Sequence, residues 1–261
     1  MKTLVGSFDF QKFISNLAQA EKSALILDYD GTLAPFRKER DLAVPYGGVP
    51  TRLAQIMDSD KTRLIIVSGR RVKDIKALLP LDTLPEIWGC HGGERLDTSG
   101  KYRLATLPRT VLTGLTQVDA WVVQNDLQSR CERKPISVAF HWRGLPPQEA
   151  EALKEQIEQQ FAGSAAESGL ALHAFDGGLE LRAASITKAH AVRMIVSETA
   201  IDAPVAYLGD DATDEDAFEA LGSRGLKVLV REELRPTRAD LWLVPPRDLI
   251  SFLDNWIDAA R

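Results

Sequence analysis

Apolar residues along this chain follow two rhythms. Short runs with little polar interruption, at residues 24–27, 64–67, 87–90, 205–208 and 226–230, read as strands buried on both faces of a sheet. Longer stretches repeat apolar positions at helical spacing, at residues 8–20, 51–57, 72–79, 110–127, 147–161, 186–198, 214–221 and 247–260. In the last of these, Leu249, Ile250, Leu253, Trp256 and Ile257 share one face, and a further strand is expected near 241–244 just before it. Strand and helix alternating in this way predict an α/β fold with a mostly parallel, Rossmann-like sheet.

From about residue 107 the texture changes. Residues 136–142 alternate apolar and polar, as a half-exposed antiparallel strand does. Two short strands, at 170–174 and 179–181, flank an expected turn at Asp176-Gly177-Gly178. The middle of the chain therefore reads as an α+β insert, residues 108–181, within a discontinuous core made of 1–107 and 182–261.

Composition narrows the function classes. The chain has 261 residues, 44% of them hydrophobic and 26% charged, which is ordinary for a globular protein. A net charge of −5 argues against nucleic acid or an anionic membrane as a partner, because both select basic surfaces. A small anionic substrate needs only a few local cations and stays open. No apolar run approaches the ~20 residues that span a bilayer, and the opening MKTLVGSFDFQKF lacks the apolar stretch of a secretory signal. Cys90 and Cys131 are the only cysteines, so a disulfide framework or cysteine metal site is not expected, and a reducing cytoplasm is. A monomer acting on a small molecule is the expected state.

Three of the buried runs end in polar clusters: Asp28 to Thr32 (DYDGT), Ser68 to Arg70 (SGR) and Gly209 to Asp216 (GDDATDED). Ligands of open α/β sheets bind beyond the carboxyl ends of the strands, so the three endings can converge on one site. Asp28 and Asp30, two apart at a strand end, can point the same way. One carboxylate can attack phosphorus and hold the phosphoryl group, while the other gives and takes the protons. Thr32, Ser68 and the N–H groups of Gly69 and Arg70 offer donors to phosphate oxygens, and Lys188 offers a point charge. Asp210, Asp211 and Asp214 supply hard oxygen ligands that suit Mg²⁺.

Four of these features together, D-x-D-G-T, a strand-end Ser, a Lys and G-D-D-x-T-D-E-D, resemble the haloacid dehalogenase superfamily in its order. The resemblance implies a C2-type α+β cap and roles residue by residue: Asp28 the nucleophile, Asp30 the acid and base, Ser68 and Lys188 the phosphate stabilisers. It also implies Mg²⁺ on Asp28, the Asp30 carbonyl and Asp210, with Asp214 beside them. Within that superfamily LDYDGTLAPF, VSGRR, GCHGGE, ELR, TKAHAV and LGDDATDEDAF are similar to the trehalose-6-phosphate phosphatases. That likeness implies a phosphatase acting on trehalose 6-phosphate, whose cap reads the sugar through Glu132, Lys134, Arg143 and Glu180.

Other readings stay open from sequence. Another glycoside phosphate, such as glucosylglycerol phosphate or sucrose phosphate, a phosphomutase using a bisphosphate activator, and a non-catalytic sensor share these motifs. Before the Lys, the chain reads Ser185-Ile186-Thr187 where the family commonly has G-x-D. One straight strand from Glu132 to Arg143 would also put Arg143 on the face away from Glu132 and Lys134, unless Pro135 starts a bulge or a second strand. Glu215 and Asp216 read as an acidic helix start, and Glu132, Lys134 and Arg143 also as an exposed ion-pair set. His141, His173 and His190 read as structural or solvated, and His91 equally as a cleft residue or an ordinary hydrogen-bonded histidine.

Overall fold

The structure is a computed structural model that describes residues 1–6, 8–37, 39–175 and 177–261. It divides into two compact units, Met1–Arg103 with Thr187–Arg261, and Leu104–Ile186. The divisions fall a few residues from the expected 107/108 and 181/182. Along the chain, the first unit begins with β1 (Lys2–Thr3), α1 (Phe10–Gln19), β2 (Ser23–Leu27), α2 (Val49–Asp58) and β3 (Thr62–Val67). It continues with α3 (Val72–Leu78), β4 (Glu86–Gly89), β5 (Glu94–Leu96) and β6 (Tyr102–Leu104), whose last residue is the first of the second unit. The second unit holds α4 (Arg109–Gln124), β7 (Cys131–Lys134), β8 (Ser137–His141), α5 (Pro147–Phe161), α6 (Ser164–Glu167), β9 (Leu170–Phe175) and β10 (Gly178–Ala183). The first unit resumes with α7 (Lys188–Ser197), β11 (Val205–Gly209), α8 (Ala212–Leu221), β12 (Leu226–Val230), β13 (Leu241–Leu243) and α9 (Arg247–Ala259).

In the first unit the sheet order is β1-β13-β12-β11-β2-β3-β4-β5-β6. The pairs from β13 through β4 are parallel, and the antiparallel pairs β1 with β13 and β4 with β5 lie outside them. β2 explains its own apolar run. Leu25 and Leu27 enter the core shared with α1, α2, α3 and α9, while Ala24 and Ile26 enter the core shared with α7 and α8. All four are fully buried, so neither face tolerates a polar residue. Strand order reverses at β2, whose neighbours are β3 on one side and β11 on the other. The three polar clusters follow these three adjacent strands, at the point where open sheets leave a crevice.

The second unit is a four-stranded antiparallel sheet, β7-β8-β10-β9, with helices on one face. Phe140 of β8 meets Trp121 of α4 and Phe161 of α5 at ring separations of 6.0 and 6.5 Å, which identifies the helix-covered face. Pro135 and Ile136 form the turn between two strands, with Lys134 opposite Ser137 and Glu132 opposite Ala139. The single strand expected over 136–142 is thus the second arm of a hairpin. Of the expected turn at 176–178, Asp176 lies outside the described residues, and Gly178 pairs with Phe175. No helix among the described residues is long and apolar enough to cross a membrane.

Candidate active site

Asp28 is the first residue after β2, and its N–H donates to the Leu208 carbonyl of β11 at 2.9 Å. Its buried carboxylate accepts from the Lys188 ammonium at 2.7 Å on Oδ1 and lies 3.4 Å from the Thr32 hydroxyl on Oδ2. Lys188 opens α7, whose N-cap is the Thr187 side chain. A cation at a helix N-terminus opposes the dipole. Here the opposition is offset by a second carboxylate, Asp214, which accepts from the same ammonium at 2.8 Å. Asp214 also accepts from Tyr207 Oη at 2.6 Å and from the N–H groups of Asp210 and Asp211 at 3.0 Å each. Asp211 is the N-cap of α8 and forms a capping box with Asp214.

One oxygen each from Asp28, Asp210 and Asp214 lies within 4.8 Å of the others, and all three residues are buried. Gly31, at φ 82°, permits this crowding, since a Cβ there would collide with the Asp210 carboxyl. Gly209 does the same beneath Asp214. Burial, reinforced by Asp214 and Asp211, pushes the Asp210 carboxyl up to about 8. Burial also raises Asp28 well above the carboxylate range, against the pull of Lys188. The Lys188 ammonium is itself raised: its burial is outweighed by Asp214 and Asp28. Two of the three carboxyl groups, Asp28 and Asp214, pair with the one lysine, and among the described residues Asp210 Oδ1 is buried with no hydrogen-bond partner. An oxygen-only cluster with more carboxyl groups than cations and an orphaned buried oxygen fits a hard divalent cation, which would favour their ionised forms.

The second strand end is arranged differently from expectation. Ser68 is buried after β3, and its Oγ accepts the Arg70 N–H at 3.1 Å. Two residues on, the Val72 N–H at the start of α3 donates to the buried Glu94 carboxylate. The expected amide cradle is therefore partly occupied by the protein's own oxygens. Arg70 does not point freely toward a ligand. Its Nε and Nη2 donate to the two oxygens of Asp30, both at 2.7 Å, and Nη1 donates to the Arg40 carbonyl at 2.9 Å. Its guanidinium carbon sits 5.7 Å above the Tyr29 ring.

His91 supports the same loop. Cys90, His91 and Gly92 have φ of 49°, 56° and 106°, an unusual run for two residues bearing side chains. His91 N–H donates to the Ser68 carbonyl at 2.8 Å, and a Cβ on Gly69 would stand 2.8 Å from its imidazole. Tyr207, Glu94 and His91 thus enter the site's support. Only His91 is singled out by the sequence; the others lie within strands as a phenol among aliphatics and an acid beside Gly93.

In the second unit, Lys134 Nζ donates to Glu180 Oε1 at 2.9 Å, and Ser137 Oγ donates to the same oxygen at 2.7 Å. Glu132, Ala139, Glu180 and His173 align across the four strands, on the face away from Phe140. The turn at 135–136 restores the parity that a straight strand would break, because Lys134, Ser137, Ala139 and His141 now share one face. His141 lies 3.5 Å from Glu132 and edge-on to Phe175. Arg143 lies past the end of β8 with its side chain beside Gly177.

The family model described as trehalose-phosphatase matches residues 26–240, a span that contains every residue named above from Asp28 to Asp214. The chain is 29% identical over 249 residues to a bifunctional trehalose-6-phosphate synthase/phosphatase of Thermoproteus tenax, covering 94% of itself and 33% of that protein. It is 27% identical over 207 residues to a trehalose-6-phosphate phosphatase of Escherichia coli, covering 78% of itself and 75% of that protein. The chain thus spans about a third of one of these relatives and three quarters of the other. In fold it is similar to the C-terminal domain of a Candida albicans trehalose-6-phosphate phosphatase, with a TM-score of 0.78, 19% identity and 99% of each chain covered. Its fold is also similar to that of a haloacid dehalogenase-like hydrolase of B. subtilis, with a TM-score of 0.64, 13% identity, and 89% of this chain and 99% of that chain covered. With these strand-end carboxylates inside the matched span, the chain belongs to the trehalose-phosphatase family.

Proposed function

We propose that this chain hydrolyses trehalose 6-phosphate to trehalose and phosphate, through a phosphoryl group held on Asp28, with Mg²⁺ as cofactor. The observation that carries the mechanism is the Asp28 carboxylate, buried at the strand-order reversal and held by Lys188 at 2.7 Å. An Asp28 oxygen attacks phosphorus, and the bond from phosphorus to the sugar oxygen breaks as Asp30 delivers a proton to that oxygen. Asp30 then takes a proton from a water, which attacks phosphorus and releases Asp28. Lys188, Ser68, Thr32 and Gly69 offer positive charge and donors to the phosphoryl oxygens. Arg70 orients Asp30 rather than the phosphate, since both Asp30 oxygens are on its guanidinium.

Asp28, Asp210 and the Asp30 carbonyl are the groups that would hold Mg²⁺. Asp214 already accepts four hydrogen bonds, so it serves the metal by fixing Lys188 and the Asp210 backbone. When bound, Mg²⁺ neutralises the charge that accumulates when a phosphate meets a carboxylate. The polar sheet face of the second unit, with Glu132, Lys134, Arg143 and Glu180, is assigned to the sugar hydroxyls, since carboxylates and cations together satisfy both halves of an O–H. Cys90 and Cys131 are free thiols, in keeping with a cytoplasmic enzyme.

Phosphate release with Mg²⁺ across trehalose 6-phosphate, sucrose 6-phosphate, glucosylglycerol phosphate and glucose 6-phosphate tests the proposal. The highest kcat/KM is expected on trehalose 6-phosphate; a clear preference for another member overturns the sugar assignment. Asp28→Asn is expected to reduce turnover by more than about 10³-fold. Full activity in that variant would remove the nucleophile.

A further inference from the structure

The dipeptide Asp210-Asp211, between β11 and α8, is held from both edges by charged side chains. On one edge, both of its N–H groups donate to Asp214 Oδ2 at 3.0 Å. On the other, both of its carbonyls accept from Arg235. Nη2 donates to the Asp211 carbonyl at 2.7 Å and to that of Asp210 at 3.2 Å, and Nε donates to the Asp210 carbonyl at 3.3 Å. Arg231 Nη1 adds a longer donation to the Asp210 carbonyl, at 3.4 Å. Arg235 is in turn held by Glu215, one turn into α8, through Nη1 to Oε1 at 2.6 Å. The other Glu215 oxygen accepts the Arg238 N–H at 2.8 Å.

This grip matters because of what the Asp210 side chain lacks. Its Oδ1 is buried without a hydrogen-bond partner among the described residues, and Asp214 and Asp211 repel the carboxyl, which has Asp28 as its side-chain hydrogen-bond partner. With one oxygen orphaned, the direction of that carboxyl depends on its backbone as well as on Asp28. A fork of five N–H donors can span two successive carbonyls, which a lysine ammonium cannot do with the same geometry. The Arg235 charge is balanced by Glu215, so its effect at the cluster is one of position more than of potential.

We infer that Arg235, anchored by Glu215, is a positioning residue that fixes the carboxylate of Asp210 for its divalent cation. The inference rests on the reading of Asp210 as a cation ligand. Binding of Mn²⁺ alone, followed by electron paramagnetic resonance, separates the two. Partners that orient a metal ligand typically contribute about 10–100-fold in affinity.

Wild type is expected to bind Mn²⁺. Arg235→Ala is expected to bind it about 10-fold or more weakly, Arg235→Lys with intermediate affinity, and Glu215→Gln with a smaller loss. Arg224→Ala is the control, because Arg224 also bonds two carbonyls, those of Ala203 and Ala200 at 2.8 and 2.6 Å, at the opposite end of β11. It is expected to bind Mn²⁺ as wild type does. Phosphatase activity of Arg235→Ala is expected to recover as Mg²⁺ is raised, with the Mg²⁺ requirement displaced by the same factor as the Mn²⁺ affinity.

Unchanged Mn²⁺ affinity in Arg235→Ala overturns the inference, as does an equal loss in Arg224→Ala. Wild type that binds no Mn²⁺ overturns the ligand reading itself. If Arg235→Ala does not fold, Arg235→Lys compared with Arg224→Lys decides by the same criterion.

Discussion

Two buried lysines, one in each unit, meet carboxylates at nearly equal distance. Lys188 lies 2.7 Å from Asp28 and 2.8 Å from Asp214, and Lys134 lies 2.9 Å from Glu180. The surroundings differ. Lys188 stands among three buried carboxyl groups, counting Asp210, so the cluster holds more acids than one cation can balance when they ionise. Lys134 and Glu180 are matched in charge, and the Ser137 hydroxyl joins them on the same Glu180 oxygen. Buried ion pairs seldom stabilise a fold over an apolar replacement, so both arrangements accord with the ligands proposed for them. An anionic surplus in a buried place favours a divalent cation. A balanced pair offers donors and acceptors with little net field, which suits a neutral polyol.

The sharpest way to break this contrast is Lys188→Met. It leaves Asp28 and Asp214 buried without their counter-charge, and is expected to lower stability by about 3 kcal/mol or more in the absence of Mg²⁺. Saturating Mg²⁺ is expected to restore part of that loss, because a ligand of the native state stabilises it by mass action. Urea unfolding with and without Mg²⁺ measures both. Identical stability to wild type without metal would dissolve the surplus-charge account.

Next in size is Arg70→Ala, which releases Asp30 from its two 2.7 Å hydrogen bonds. If Arg70 works through Asp30, kcat on trehalose 6-phosphate falls by about 10²-fold, the lower range for a positioned acid. Turnover of p-nitrophenyl phosphate, whose leaving group departs without a proton, then falls much less. Equal losses on both substrates, carried in KM, would return Arg70 to the phosphate. The smallest effect is expected from Glu180→Gln. It weakens a charge-assisted hydrogen-bonding group on the sheet face and is expected to raise KM for trehalose 6-phosphate by about 10-fold. Turnover of p-nitrophenyl phosphate should not change; a parallel loss there would make Glu180 structural.

Much of the fold is legible because its signals are local. The unbroken apolar run of β2 is what two buried faces demand, and the short acidic motif after it needs only a strand end and a glycine turn. The hairpin at 131–141 is less legible. Pro135 signals a break, yet the pairing of Lys134 with Ser137 depends on a two-residue turn, and a one-residue slip would turn every side chain to the other face. β5 and β6, three residues each, are too short to carry a period and are absent from the sequence reading.

The chain by itself determined an α/β core with an insert, which carboxylates and serine stand at strand ends, and which lysine opens a helix. These depend on conformation and burial over a few residues. Only the tertiary structure decided who meets whom. Lys188 reaches Asp28 across 160 residues, Arg70 reaches Asp30 across 40, and Arg235 reaches the Asp210 carbonyl across 25. Those meetings follow from the β3-β2-β11 strand order and from where long, flexible side chains end, to within an ångström. A sequence pattern records that a charged residue lies near a strand end. The partner that balances it is set by the packing of elements far apart in the chain.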